Sequence, residues 1–187
     1  KLYGNTASLS EDNSTLTYYI TESTPNDTGT RETLKQHTVP LTGAIRCNES
    51  SDQAIKVNGG TLDIRGGALR NSSGKRIVLV ESGTLTMEGG YIVGGGRNDE
   101  TGGGIYVTSG AVNGKVNIQG GVVAANRGDF GGGIYVESGT LNISGGAVTG
   151  NEVIHGHDNG GGIFAENGTL TISGGAVTGN EIIHGHD

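Results

Sequence analysis

One cysteine, two prolines, no tryptophan and 4% aromatic residues leave this 187-residue chain without several common means of holding a fold. A lone Cys47 excludes an internal disulfide framework, so packing and hydrogen bonding must supply the stability. No stretch approaches the roughly 18 consecutive apolar residues of a membrane span, and membrane insertion is not expected. Positive charge is also scarce: 12 basic residues against 19 acidic ones give a net charge of −7. With no long charged run, neither nucleic acid nor an anionic membrane is expected as a partner. The opening KLYGNT has no methionine and no signal-peptide pattern, which leads us to expect a mature or excised piece of a secreted precursor.

What the chain has in abundance is glycine, 38 residues of it, and the glycines are periodic. One unit recurs with apolar starts at Ile55, Val78, Ile105, Ile134 and Ile163. Its last two copies, 132–158 and 161–187, agree at 22 of 27 positions, which is duplication. Inside a unit, Ile134-Tyr135-Val136, Thr140-Leu141-Asn142-Ile143 and Ala147-Val148-Thr149 alternate with period two and are separated by Ser138-Gly139 and Gly145-Gly146. Each segment is too short for a helix and reads as a strand. Three short strands cannot bury their own apolar face, but stacked copies can, so the expected architecture is an all-β parallel β-helix.

Stacking predicts columns. Ile55, Val78, Ile105, Ile134 and Ile163 should form one interior column, and Leu62, Leu85, Val116, Leu141 and Leu170 another; all ten are aliphatic, as a dry core demands. The glycine pairs 66-67, 89-90, 120-121, 145-146 and 174-175 suit a corner that needs positive φ or no Cβ. Asn126, Asn151 and Asn180 share another corner, where stacked amides can bond along the rod. Residues 1–41 fall outside the repeat and are expected to cap the β-helix of about five coils that occupies 42–187. Within them Leu16–Ile20 and His37–Leu41 each suit a strand. The sequence stops at Asp187 without such a cap, so either further repeats are expected to follow in the natural protein or the last coil pairs with a partner, end-to-end self-association included.

The run GGGIYVESGTLNISGGAVTGN resembles the glycine-rich repeats of large bacterial surface proteins and is similar, more distantly, to the repeats of autotransporter passengers. The resemblance covers about 55–187 and implies a right-handed, pectin-lyase-like β-helix in an adhesin, stalk or passenger domain. It places the protein outside the cell or on its surface, with a glycan or a cell-surface receptor as partner. On that basis the chain is expected to be non-catalytic. A polysaccharide-binding or polysaccharide-cleaving β-helix is the alternative.

Three constellations carry candidate chemistry. His155, His157 and Asp158 precede His184, His186 and Asp187 by 29 residues, so the two loops should leave neighbouring coils. Imidazole and carboxylate there suit a divalent transition metal such as zinc, nickel or copper; a polar loop copied with its repeat is the competing explanation. Arg127-Gly128-Asp129 matches an integrin-type attachment triplet in an expected surface loop. Outward positions of the first strand stack as Lys56, Leu79, Tyr106, Tyr135 and Phe164, either a sugar-binding stripe or a self-stacking ladder. The ladder is preferred because no acidic pair is legible beside the rings, and Glu137 and Glu166 read as a surface column. On the second strand Thr61, Thr84, Lys115, Thr140 and Thr169 form an exposed array, in which Lys115 interrupts an ice-binding pattern.

Overall fold

A computed structural model describes residues 7–9, 15–26, 29–40, 44–47, 53–71, 73–97, 101–110, 113–154 and 159–183. Strands β1 (Ser8–Leu9), β2 (Thr15–Asn26) and β3 (Gly29–Pro40) come first, followed by β4 (Ala44–Cys47). Two coils then supply β5 (Gln53–Ile64) and β6 (Ala68–Asn71), and β7 (Arg76–Met87) and β8 (Tyr91–Val93). The third supplies β9 (Ile105–Val107), β10 (Lys115–Ile118), β11 (Val122–Ala124) and β12 (Arg127–Gly128). In the fourth lie β13 (Ile134–Val136), β14 (Thr140–Ile143), β15 (Ala147–Thr149) and β16 (Glu152–Ile154). The last carries β17 (Ile163–Ala165), β18 (Thr169–Ile172), β19 (Ala176–Thr178) and β20 (Glu181–Ile183).

These strands stack into three parallel sheets, a β-solenoid of about four turns between the first repeat start and the last. The first sheet runs β17-β13-β9-β7-β10-β14-β18, with β5 on the far side of β7; the second runs β19-β15-β11-β8-β6-β4; the third is β12-β16-β20. Both predicted interior columns form in register. Ile55 pairs with Val78, Val78 with Ile105, Ile105 with Ile134 and Ile134 with Ile163. Likewise Leu62, Leu85, Val116, Leu141 and Leu170 follow one another from coil to coil. Val78, Leu85, Ile105, Val116, Ile134 and Leu141 are all 0% exposed, and each buried aliphatic side chain of this size contributes about 1.5–3 kcal/mol. In the last coil the column opens, and Leu170 is 40% exposed.

Two departures from the sequence reading concern strand number and length. A fourth strand per coil, seen as β12, β16 and β20, occupies what reads as loop; Val153 on β16 is fully buried. In the first two coils the first and second strands also merge into the 12-residue β5 and β7, with register shifts at Asn58 absorbing the Gly59-Gly60 step.

Two corners explain the glycines. At the first, the second residue of each pair has positive φ, from 72° at Gly146 to 82° at Gly90. In every coil after the first, the first residue of the pair instead lacks room: a Cβ on Gly145 would lie 2.2 Å from the Gln119 carbonyl oxygen, whereas one on Gly66 would meet nothing within 4 Å. At the second corner the asparagine ladder sits as expected. Asn126 and Asn151 are fully buried, Asn126 Nδ2 donates to Asn151 Oδ1 at 2.9 Å, and Asn151 Nδ2 donates to Asn180 Oδ1 at 2.9 Å. The backbone N–H of Asn126 and of Asn151 donates to the same oxygens, so each carboxamide ties two coils together. Beside it Ala125 holds φ 52°, where the equivalent positions are Gly94, Gly150 and Gly179.

The N-terminal strands form their own antiparallel sheet, β1-β2-β3, in which Leu9 faces Leu16 and Tyr18 faces His37. Ala7, Leu16 and Tyr18 are buried against Ala68, Val93, Val122, Ala124 and Ala147, which project outward from the second sheet. This unit therefore lies along the flank of the solenoid. Small apolar residues on that flank, where the first sheet shows threonine and asparagine, make the seat.

Candidate functional site

The best-defined side-chain cluster among the described residues grows from the outward column of the first strand. Parallel register places Lys56, Leu79, Tyr106, Tyr135 and Phe164 one above another. The rings stack face to face, with Tyr106 and Tyr135 centroids 5.3 Å apart at 5° and Tyr135 and Phe164 5.5 Å apart at 8°. Phe130 leans across the edge of the stack at 5.9 Å from Tyr135 and 6.0 Å from Phe164. Below, the Arg76 guanidinium carbon lies 4.8 Å from the Tyr106 centroid, a cation–π contact. Tyr135 is left 6% exposed, with both faces against other rings. A sugar that stacks through its apolar face needs an open ring face, which Tyr135 does not present.

Carboxylates line the tyrosine hydroxyls, contrary to the expectation from sequence. Tyr106 Oη donates to Glu137 Oε2, and Tyr135 Oη donates to Glu166 Oε2. The Ser109 backbone N–H donates to the same Glu137 oxygen at 3.0 Å. Each glutamate belongs to the coil after its tyrosine and reaches back one rung, a diagonal relation that comparing equivalent repeat positions does not reveal. Burial first, then the hydrogen bond and charge of Glu137, push the Tyr106 hydroxyl up to about 12 against the opposing pull of Arg76. Burial and Glu166 raise Tyr135 in the same sense. Both phenols thus stay protonated donors at neutral pH, and each ties its coil to a glutamate of the next.

The attachment triplet is not an open loop. Arg127 and Gly128 form β12 and pair with Glu152 and Val153 on β16. Arg127 Nε lies 2.8 Å from Glu152 Oε2, Gly128 is buried, and Asp129 Oδ1 is buried without a hydrogen-bond partner. The fourth strand of the coil causes this correction, because it draws the start of the triplet into a sheet. His155, His157, Asp158, His184, His186 and Asp187 lie outside the described residues. Immediately before them, Ile154 and Ile183 are register partners on β16 and β20. The threonine column of the second strand is in register throughout, and Asn142 Nδ2 donates to Asn117 Oδ1 at 3.0 Å beside it.

Sequence reasoning passed over Tyr18 and Tyr91, which wall a groove along the glycine corner. A signal existed for Tyr91: it holds the outward position that is Ala68, Val122, Ala147 and Ala176 in the other coils. No protein-family model, curated protein or solved structure matches this chain.

Proposed function

We propose that this chain is a non-catalytic extracellular or cell-surface module, an adhesin or structural stalk that presents loops from a stiff solenoid. The observation that carries the proposal is the stacking of like on like between coils: aliphatic columns inside, an amide ladder at one corner and a ring ladder outside. Such repetition links every coil to both neighbours by backbone ladders and by side chains, which suits resistance to bending and extension. Right-handed winding of the pectin-lyase-like type, a bacterial source, and a glycan or receptor partner belong to the same proposal and rest on the resemblance of the repeat to surface proteins. A zinc, nickel or copper ion held by the two His-Gly-His-Asp loops is part of the proposal on the strength of their ligand types and 29-residue spacing, and self-association through the last coil on its exposed apolar residues.

Pulling the chain from its termini tests the stalk. Expected are successive steps, each releasing one coil, or about 100 Å for 29 residues. One collapse at low force, with no coil-sized steps, overturns it. A glycan-cleaving reading draws support from the position of Glu137 and Glu166 beside aromatic rings. Screening acidic polysaccharides for reducing-end release is expected to show no turnover. Turnover abolished by Glu137→Gln would replace the stalk with an enzyme.

A further inference from the structure

The flank covered by the N-terminal hairpin borders a groove that a stalk does not need. Its floor is the glycine corner, with Gly89, Gly90, Gly121 and Gly146 contributed by three successive coils. Without side chains there, a ligand can approach the backbone itself. The walls are Tyr18, Tyr91, Val122 and Ala147, and they bound an open groove of about 380 Å³. That volume lies in the range of small-molecule sites, and three coils at about 4.8 Å spacing give the floor a length of about 10 Å parallel to the rod.

The chemistry of the lining is narrow. None of these residues carries a charge at neutral pH, so the groove offers a charged ligand no counter-charge. Tyr18 is held in place, its ring stacked on His37 at 5.1 Å and 13°. Burial and the neighbouring Tyr91 raise the Tyr18 hydroxyl above the ordinary tyrosine range, so it remains a donor. Tyr18 is only 7% exposed and stacked on His37, so the open ring face is that of Tyr91, and this face over a bare, uncharged floor matches a ligand with an apolar ring face and neutral hydroxyls. We propose that this groove binds a neutral oligosaccharide lying parallel to the solenoid axis against Tyr91.

Titration of the full ¹⁵N-labelled chain with neutral gluco-oligosaccharides of about two residues tests this, since that length suits the groove. The backbone amide signals of Gly90, Gly121 and Gly146 report from the floor. Saturable shifts of these three are expected, weakened about tenfold in Tyr91→Ala through loss of ring contact and less in Tyr91→Phe. Tyr91 is chosen because it sits on β8 of the solenoid, whereas substituting Tyr18 risks releasing the hairpin. An unmoved Asn151 amide in both variants verifies that the coils stay stacked. Three glycine signals unmoved at saturating sugar, equal affinity in Tyr91→Ala, or tighter binding of oligogalacturonates of the same length would each overturn the proposal. The stalk survives any of these results, because its own test is mechanical.

Discussion

Between β5 and β7 neighbouring coils are joined by long strands and, at the surface, by pairs of opposite charge; from β13 to β20 they are joined by short strands and by like side chains stacked on like. In the early coils Lys56 Nζ lies 2.6 Å from Glu81 Oε1, and Arg65 Nε lies 3.3 Å from Glu88 Oε2, all at the surface. In the late coils tyrosine stacks on phenylalanine and asparagine bonds to asparagine. Charge follows the same division, since residues 128–187 contain no lysine or arginine and hold all of the net −7. Duplication explains why. A copied coil sets each residue over its twin, which suits amides, rings and aliphatics but sets carboxylate over carboxylate about 4.8 Å away. Handing Glu137 and Glu166 to the tyrosine hydroxyls of the coil below relieves that repulsion.

The sharpest break in this comparison comes from one substitution made at both ends. Gly145→Ala drives a Cβ to 2.2 Å from a backbone oxygen and is expected to lose about 3 kcal/mol, whereas Gly66→Ala meets nothing within 4 Å and should stay within about 0.5 kcal/mol. Urea denaturation of both variants checks it, and equal losses would mean that the corner is not set by stacking. Next, Asn151→Ala leaves buried donors of Asn126 without their acceptor and should cost about 2–3 kcal/mol by the same measurement.

Tyr135→Phe removes one hydroxyl bond and is expected to cost about 1 kcal/mol. Tyr106 adds a pH dependence. Its hydroxyl titrates at about 12 in the fold against 10.0 ordinarily, so its contribution is complete below pH 10 and is lost as pH rises toward 12. Denaturation midpoints on either side of pH 10 should show that fall in the wild type and less of it in Tyr106→Phe. Ala125→Gly relieves a left-handed alanine and should raise stability by about 0.5–1 kcal/mol, seen as a higher melting temperature. Smallest of all, Lys56→Ala should cost below about 0.5 kcal/mol, and that cost should vanish in high salt, because Lys56 and Glu81 meet in solvent.

Much of the fold was legible because a repeat can be checked against itself. Aligning Ile134 with Ile163 and Leu141 with Leu170 already assigns their strand register, and Asn151 aligned with Asn180 already implies a ladder. Glu152–Ile154 escaped notice because three residues with a single inward Val153 give no periodicity to read. The merged β5 and β7 escaped because Gly59-Gly60 and Ser82-Gly83 look like turns between separate strands. The contact of Glu137 with Tyr106 crosses coils on a diagonal, which columns of equivalent positions do not contain.

By itself the sequence determined that coils stack, which residues form the dry interior and which glycines turn the corners. Those outcomes follow from period and polarity, local properties that repetition amplifies. Only the tertiary structure decided that the tyrosine rings cover one another, that Arg127 answers Glu152, and that the N-terminal hairpin lies along the flank beside an uncharged groove. These depend on which side chains meet across a coil spacing or between unrelated segments, and no one-dimensional pattern records that distance.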